Sequence, residues 1–105
     1  MTTKISFIYD NPADPADFEA GLPDHLEAAK KLPGLTRIDS SKVWAKEDGS
    51  ETPLYRIVNL YFPDYASASA AVATSQAAEM FPGVFGLATG GVRIAFADVE
   101  IDEAL

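Results

Sequence analysis

With one histidine and no cysteine in the chain, any chemistry it performs must run through oxygen or imidazole. His25 is suited to that work, because an imidazole near its ordinary pKa can take and hold a proton at neutral pH. Tyr9, Asn59 and Tyr61 are polar-tipped members of otherwise apolar strand-like runs, and their hydroxyls and amide can orient a small molecule as the floor of a site. His25 is therefore the candidate catalytic group, with Tyr9, Leu22, Asn59 and Tyr61 as candidate ligand contacts. Each has a plainer reading: a lone histidine on an apolar face is often a satisfied core residue, and tyrosines often only pack.

The histidine needs a helix to aim it. Asp14 before Pro15 is an N-cap followed by a first helical residue. At 100° per residue Phe18, Leu22, His25 and Ala29 fall within about 60° of one another, so His25 shares the face that should be buried. Asp17, Asp24, Glu27 and Lys31 fall opposite. Gly21 and Pro23 predict a kink or a division into two short helices. Leu32-Pro33-Gly34 then stops the helix and hands the chain to an extended run.

Strands are expected at Thr3–Tyr9, Leu35–Trp44, Leu54–Phe62 and Val92–Val99, from period-2 alternation and turn residues at their ends. Ala45–Pro53, with Gly49 at its middle, reads as a long hairpin loop. After Asp64, a second N-cap, Tyr65–Thr74 is an alanine-rich helix. A further short helix from Ser75 should end before Phe81-Pro82-Gly83, leaving Val84–Gly91 as an irregular connection. Gly90-Gly91 lacks the context of a phosphate loop and reads as a turn.

One domain spanning 1–105 results, α+β in class, with the β-α-β-β-α-β order of a ferredoxin-like fold: a four-stranded antiparallel sheet with helices on one face. The third strand is largely apolar on both sides, so the uncovered sheet face needs a cover, and a second copy would make a homodimer joined sheet to sheet. Trp44 would then pin the interface or lid the pocket. The formal charge of −8, from 16 acidic and 8 basic residues, argues against nucleic acid and anionic membranes as partners. No apolar run approaches the ~20 residues of a membrane span, and no leader is recognisable, so a cytoplasmic protein is expected. One histidine is too few for a zinc site, and the acids Asp98, Glu100, Asp102 and Glu103 read as a solvated edge. No cofactor is called for, although a single axial histidine leaves haem open.

His25 followed by Leu32-Pro33-Gly34-Leu35, with Tyr9, Asp14-Pro15, Leu60-Tyr61-Phe62 and the Phe85–Val92 stretch, resembles the EthD family over nearly the whole chain. The chain departs from it where many relatives read His-x-Pro-Leu, since Glu27 and Ala28 occupy the last two places. The resemblance implies a dimeric α+β barrel with a small-molecule cleft between sheet and helices. It also implies a role in breakdown of an apolar or aromatic compound. Two forms of that role are open: a cofactor-free oxidoreductase or isomerase with His25 as proton acceptor, or a non-catalytic binding or accessory dimer supporting an oxygenase system.

Overall fold

In Thr3–Tyr9 (β1) the odd-numbered Ile5, Phe7 and Tyr9 are fully buried, as alternation requires of a strand with one covered face. The computed structural model describes residues 1–105. Arg37–Lys42 (β2), Arg56–Phe62 (β3) and Val92–Asp98 (β4) complete an antiparallel sheet in the order β2-β3-β1-β4, the ferredoxin-like arrangement. β1 is central, and its register sets Tyr9 opposite Arg56 of β3 and Val92 of β4. Arg56, Val58, Leu60 and Phe62 share the buried face with Ile5, Phe7 and Tyr9.

Three helices cover that face: Pro15–Ala29 (α1), Tyr65–Ala71 (α2) and Ser75–Leu87 (α3). Asp14 caps α1 by accepting from the Ala16 N–H at 2.9 Å, and Phe18, Leu22, His25 and Ala29 are its buried residues, as the helical wheel predicts. Asp64 caps α2 through the Ser67 N–H, and Thr74 caps α3 through the Ala77 N–H.

Two expectations are corrected. Helix α1 is continuous across Gly21 and Pro23 rather than divided, because Pro23 is exposed and Gly21 admits Leu87 of α3, whose side chain would lie 2.8 Å from an added Cβ. Helix α3 likewise runs through Phe81-Pro82-Gly83 to Leu87, so much of the expected irregular connection is helical. Pro82 sits on the exposed side, and the carbonyl it strands belongs to exposed Ala78, where water can take the lost bond. β2 and β3 are shorter than expected. Trp44 falls outside β2 and is 91% exposed.

The turn before β4 is tightly built. Gly91 has φ of 106°, a conformation that favours glycine, and a Cβ on Gly90 would collide with the backbone oxygen of Asn11. Gly90→Ala is expected to destabilise the fold by about 2 kcal/mol or more, as overpacking against backbone does. Urea denaturation checks this, and an unchanged midpoint would show that the turn relaxes freely.

Candidate functional site

β1 delivers Tyr9 and α1 delivers His25 to one point, where the Tyr9 hydroxyl and His25 Nε2 share a hydrogen bond of 3.0 Å. Both residues are buried, and aromatic edges close around the imidazole, Phe7 and Tyr9 each standing nearly perpendicular to it with centroids 6.1 Å away. The other ring nitrogen, Nδ1, is buried without a partner. Such an atom costs about 1–3 kcal/mol of unrecovered desolvation, which nothing else in the fold returns.

Burial sets the ionisation of the pair. It holds the His25 pKa below the usual 6.5 and pushes that of the Tyr9 hydroxyl up, so both groups are neutral at neutral pH. Two tautomers are then possible. With hydrogen on Nε2, His25 donates to Tyr9 and Nδ1 is an acceptor; with hydrogen on Nδ1, Tyr9 donates to Nε2 and Nδ1 is a donor. The pair can serve either polarity of a guest atom.

His25 lies at the floor of a groove of about 320 Å³ between α1 and α3, where Gly21 and Asp24 face Glu79, Gly83 and Gly86. A smaller hollow of about 120 Å³ shares Gly86 and Leu87 and extends along the same seam to Asp14 and Asp17. The cleft expected beside His25 was one between helix and sheet; the groove found there opens instead between two helices.

Tyr9, expected as part of the strand floor of the site, is bonded to His25. Leu22 is buried one turn earlier on α1 but does not line the groove. Asn59 and Tyr61 are not brought to His25: they belong to the opposite parity of β3 and face the uncovered side of the sheet. There they join a separate network, with Ser6 donating to Asn59 Oδ1 at 2.6 Å, Asn59 Nδ2 to Asp39 Oδ1 at 2.9 Å and Tyr61 to Asp39 Oδ2 at 2.7 Å. Burial and the bond to Asp39 raise the Tyr61 pKa. The expected single floor of Tyr9, Asn59 and Tyr61 is therefore divided between two faces.

A second buried cluster escaped the sequence reading. Arg56 is 9% exposed on the covered face, donating from Nη2 to both Glu19 carboxylate oxygens at 3.1 and 3.2 Å and from Nη1 to Ser40 at 2.8 Å. Tyr55 donates to Glu19 at 2.6 Å, and Lys42 lies 3.4 Å from it. The Tyr55 bond, with Arg56, holds the Glu19 pKa below the usual carboxylate range. The available signal was an arginine at an apolar-parity position of β3, which a buried carboxylate partner would have explained.

Haem does not fit this site. Nε2 is committed to Tyr9, and the groove that His25 lines is bounded by α1 and α3, which would have to part to seat a macrocycle over the ring. No group of three or more His, Cys, Asp or Glu is placed to hold a metal ion. No helix is long and apolar enough to cross a membrane.

These features define a ferredoxin-like α+β domain with a buried tyrosine–histidine pair beneath an interhelical groove. Among known proteins, the chain is 30% identical over 98 residues to an uncharacterised 11.0 kDa protein in the thcB–thcC intergenic region of Rhodococcus erythropolis, covering 92% of this chain and 94% of that one. It superimposes on an EthD family protein from Bacillus halodurans with a TM-score of 0.84, at 19% identity over 94% of this chain and 99% of that one. SnoaB, a cofactor-independent oxygenase from Streptomyces nogalater, shares the fold at a TM-score of 0.64 and 14% identity, over 99% and 95% of the two chains. No family profile matches. The chain belongs to the family of the Rhodococcus protein, and its fold is the EthD fold that its motifs resemble.

A depressed histidine pKa fixes a pH dependence. As pH falls through about 6.5 the unfolded histidine takes a proton that the native one refuses, so native stability falls with pH in that window. His25 is the only histidine, the side-chain type whose ordinary pKa falls in that window. Denaturant midpoints measured between pH 7.5 and 5.5 are expected to decline in the wild type and to stay flat in His25→Gln; parallel slopes would contradict the buried neutral ring.

Proposed function

We propose that the protein binds a small apolar or aromatic compound in the α1–α3 groove and acts on it without a cofactor, as an oxidoreductase or isomerase, with His25 as proton acceptor. The observation that carries this reading is Nδ1 of His25, a buried polar atom that no protein group satisfies, on a residue that lines the groove. A neutral imidazole that carries its hydrogen on Nε2 and donates it to the Tyr9 hydroxyl leaves Nδ1 bare to accept a proton from an acidic C–H or O–H, and the imidazolium so formed keeps its Nε2–H on Tyr9. The pair works as base and positioning residue. A cofactor-independent oxygenase on the same fold supports the class of chemistry.

The protein acts in this reading as a cytoplasmic homodimer. The sheet face opposite the helices is uncovered, and Ile8, Ile57 and Tyr61 on it remain only half-buried. Asn59 and Tyr61, facing that side, belong to the interface rather than to the His25 groove, and exposed Trp44 projects at the edge beside β2. Light scattering at micromolar concentration is expected to give twice the chain mass, and a monomer would remove this part of the reading.

A second reading, a ligand-binding or accessory dimer supporting an oxygenase, rests on the same orphaned nitrogen, because binding also satisfies it. His25→Gln separates the two. For the enzyme, turnover is expected to fall by about 10²–10⁴-fold with little change in affinity, as loss of a general base does. Tyr9→Phe should retain part of the rate. If turnover survives His25→Gln, the base assignment is wrong; if only affinity falls, the accessory role stands.

A further inference from the structure

Two glycines in α3 serve no purpose that the folded chain itself explains. Gly83 and Gly86 lie three residues apart on one helical face, where each glycine lowers helix stability by ~1 kcal/mol relative to alanine. Neither has the positive φ that would require glycine, and a Cβ at either would meet no atom within 4 Å. Gly21 differs, because Leu87 already fills its space. The room left by Gly83 and Gly86 opens instead on the groove whose floor is His25.

The charges along that groove are of one sign. Asp24 and Glu79 line it, no lysine or arginine does, and neither carboxylate is in an ion pair. Asp14 and Asp17 line its continuation, and the C-terminal turn of α3, with its partial negative charge, has no basic residue.

We propose that Gly83 and Gly86 form a bare, flat seat for an uncharged ring compound whose hydrogen-bonding group reaches His25, and that Asp24 and Glu79 exclude anions. This rests on His25 as the ligand-facing group and adds the shape and charge of what it accepts. A ring lies flat on exposed helical backbone where a methyl would hold it off. A carboxylate of the same size would meet two unpaired acids at short range and no compensating cation.

The test uses 2-naphthol and 2-naphthoate as probes, matched in ring size and differing in charge at pH ~7.5. Binding is followed by amide and His25 ring chemical shifts in the wild type, in Gly83→Ala, in Gly86→Ala and in Asp24→Asn combined with Glu79→Gln. The wild type should bind the naphthol about tenfold or more tightly than the naphthoate, a gap that the double variant closes to within about threefold. Each alanine variant should melt higher than the wild type, by helix propensity, and yet bind the naphthol about tenfold more weakly. If the naphthol moves the His25 ring but the alanine variants bind it unchanged, the glycine seat is overturned and the His25 site survives. Equal binding of both probes by the wild type overturns the charge selection. If neither probe moves the His25 ring, the seat and the site fall together.

Discussion

The hydrogen bond between the Tyr9 hydroxyl and His25 Nε2 is the constraint around which the site is organised. It ties the last residue of the central strand to the covering face of α1, and it does so inside an aromatic cage where no water competes. Phe18 packs edge-on against Tyr9, with centroids 5.2 Å apart, so the strand and helix meet through rings on both sides of the bond. Break the bond and two buried polar groups lose their partner. Keep it, and one ring nitrogen is satisfied while burial keeps the imidazole neutral and the second nitrogen has no protein partner.

Charge is distributed to protect that arrangement. The buried arginine of the covered face is neutralised by its bidentate contact with Glu19, supported by Tyr55 and Ser40, so its field is spent locally. The groove side keeps carboxylates without counter-ions. On the opposite sheet face, Ser6, Asn59, Asp39 and Tyr61 satisfy one another, with the Arg37 guanidinium 5.0 Å above the Tyr61 ring. Each of the three polar clusters thus occupies its own layer: the groove, the sheet–helix seam and the uncovered face.

Much of this was legible in the chain. Asp14-Pro15 marked the start of α1, and helical periodicity alone turned Phe18, Leu22, His25 and Ala29 inward. Four strands and their order along the chain followed from alternation and turn residues. The parity of β3 was not legible, because Ile57, Asn59 and Tyr61 on one side and Arg56, Val58, Leu60 and Phe62 on the other are of similar mean character. The burial of Val58, Leu60 and Phe62 on the same parity, with the pairing to Glu19, puts Arg56 on the inside. Pro82 misled for a related reason: a proline inside a helix matters little where the freed carbonyl faces water, and exposure is a tertiary property. The groove itself needed two helices distant in sequence, so Asp24, Glu79, Gly83 and Gly86 carried no joint signal until the fold brought them together.

The central claim is that His25 is a buried neutral imidazole with Nε2 engaged and Nδ1 free. Long-range nitrogen–proton NMR of the single histidine, recorded across a pH titration, addresses it directly. His25 is expected to titrate below pH ~6.5, its neutral form showing Nδ1 and Nε2 as one protonated and one bare nitrogen. A ring that titrates at or above that value, or whose two nitrogens average as in a solvent-exposed imidazole, would contradict it.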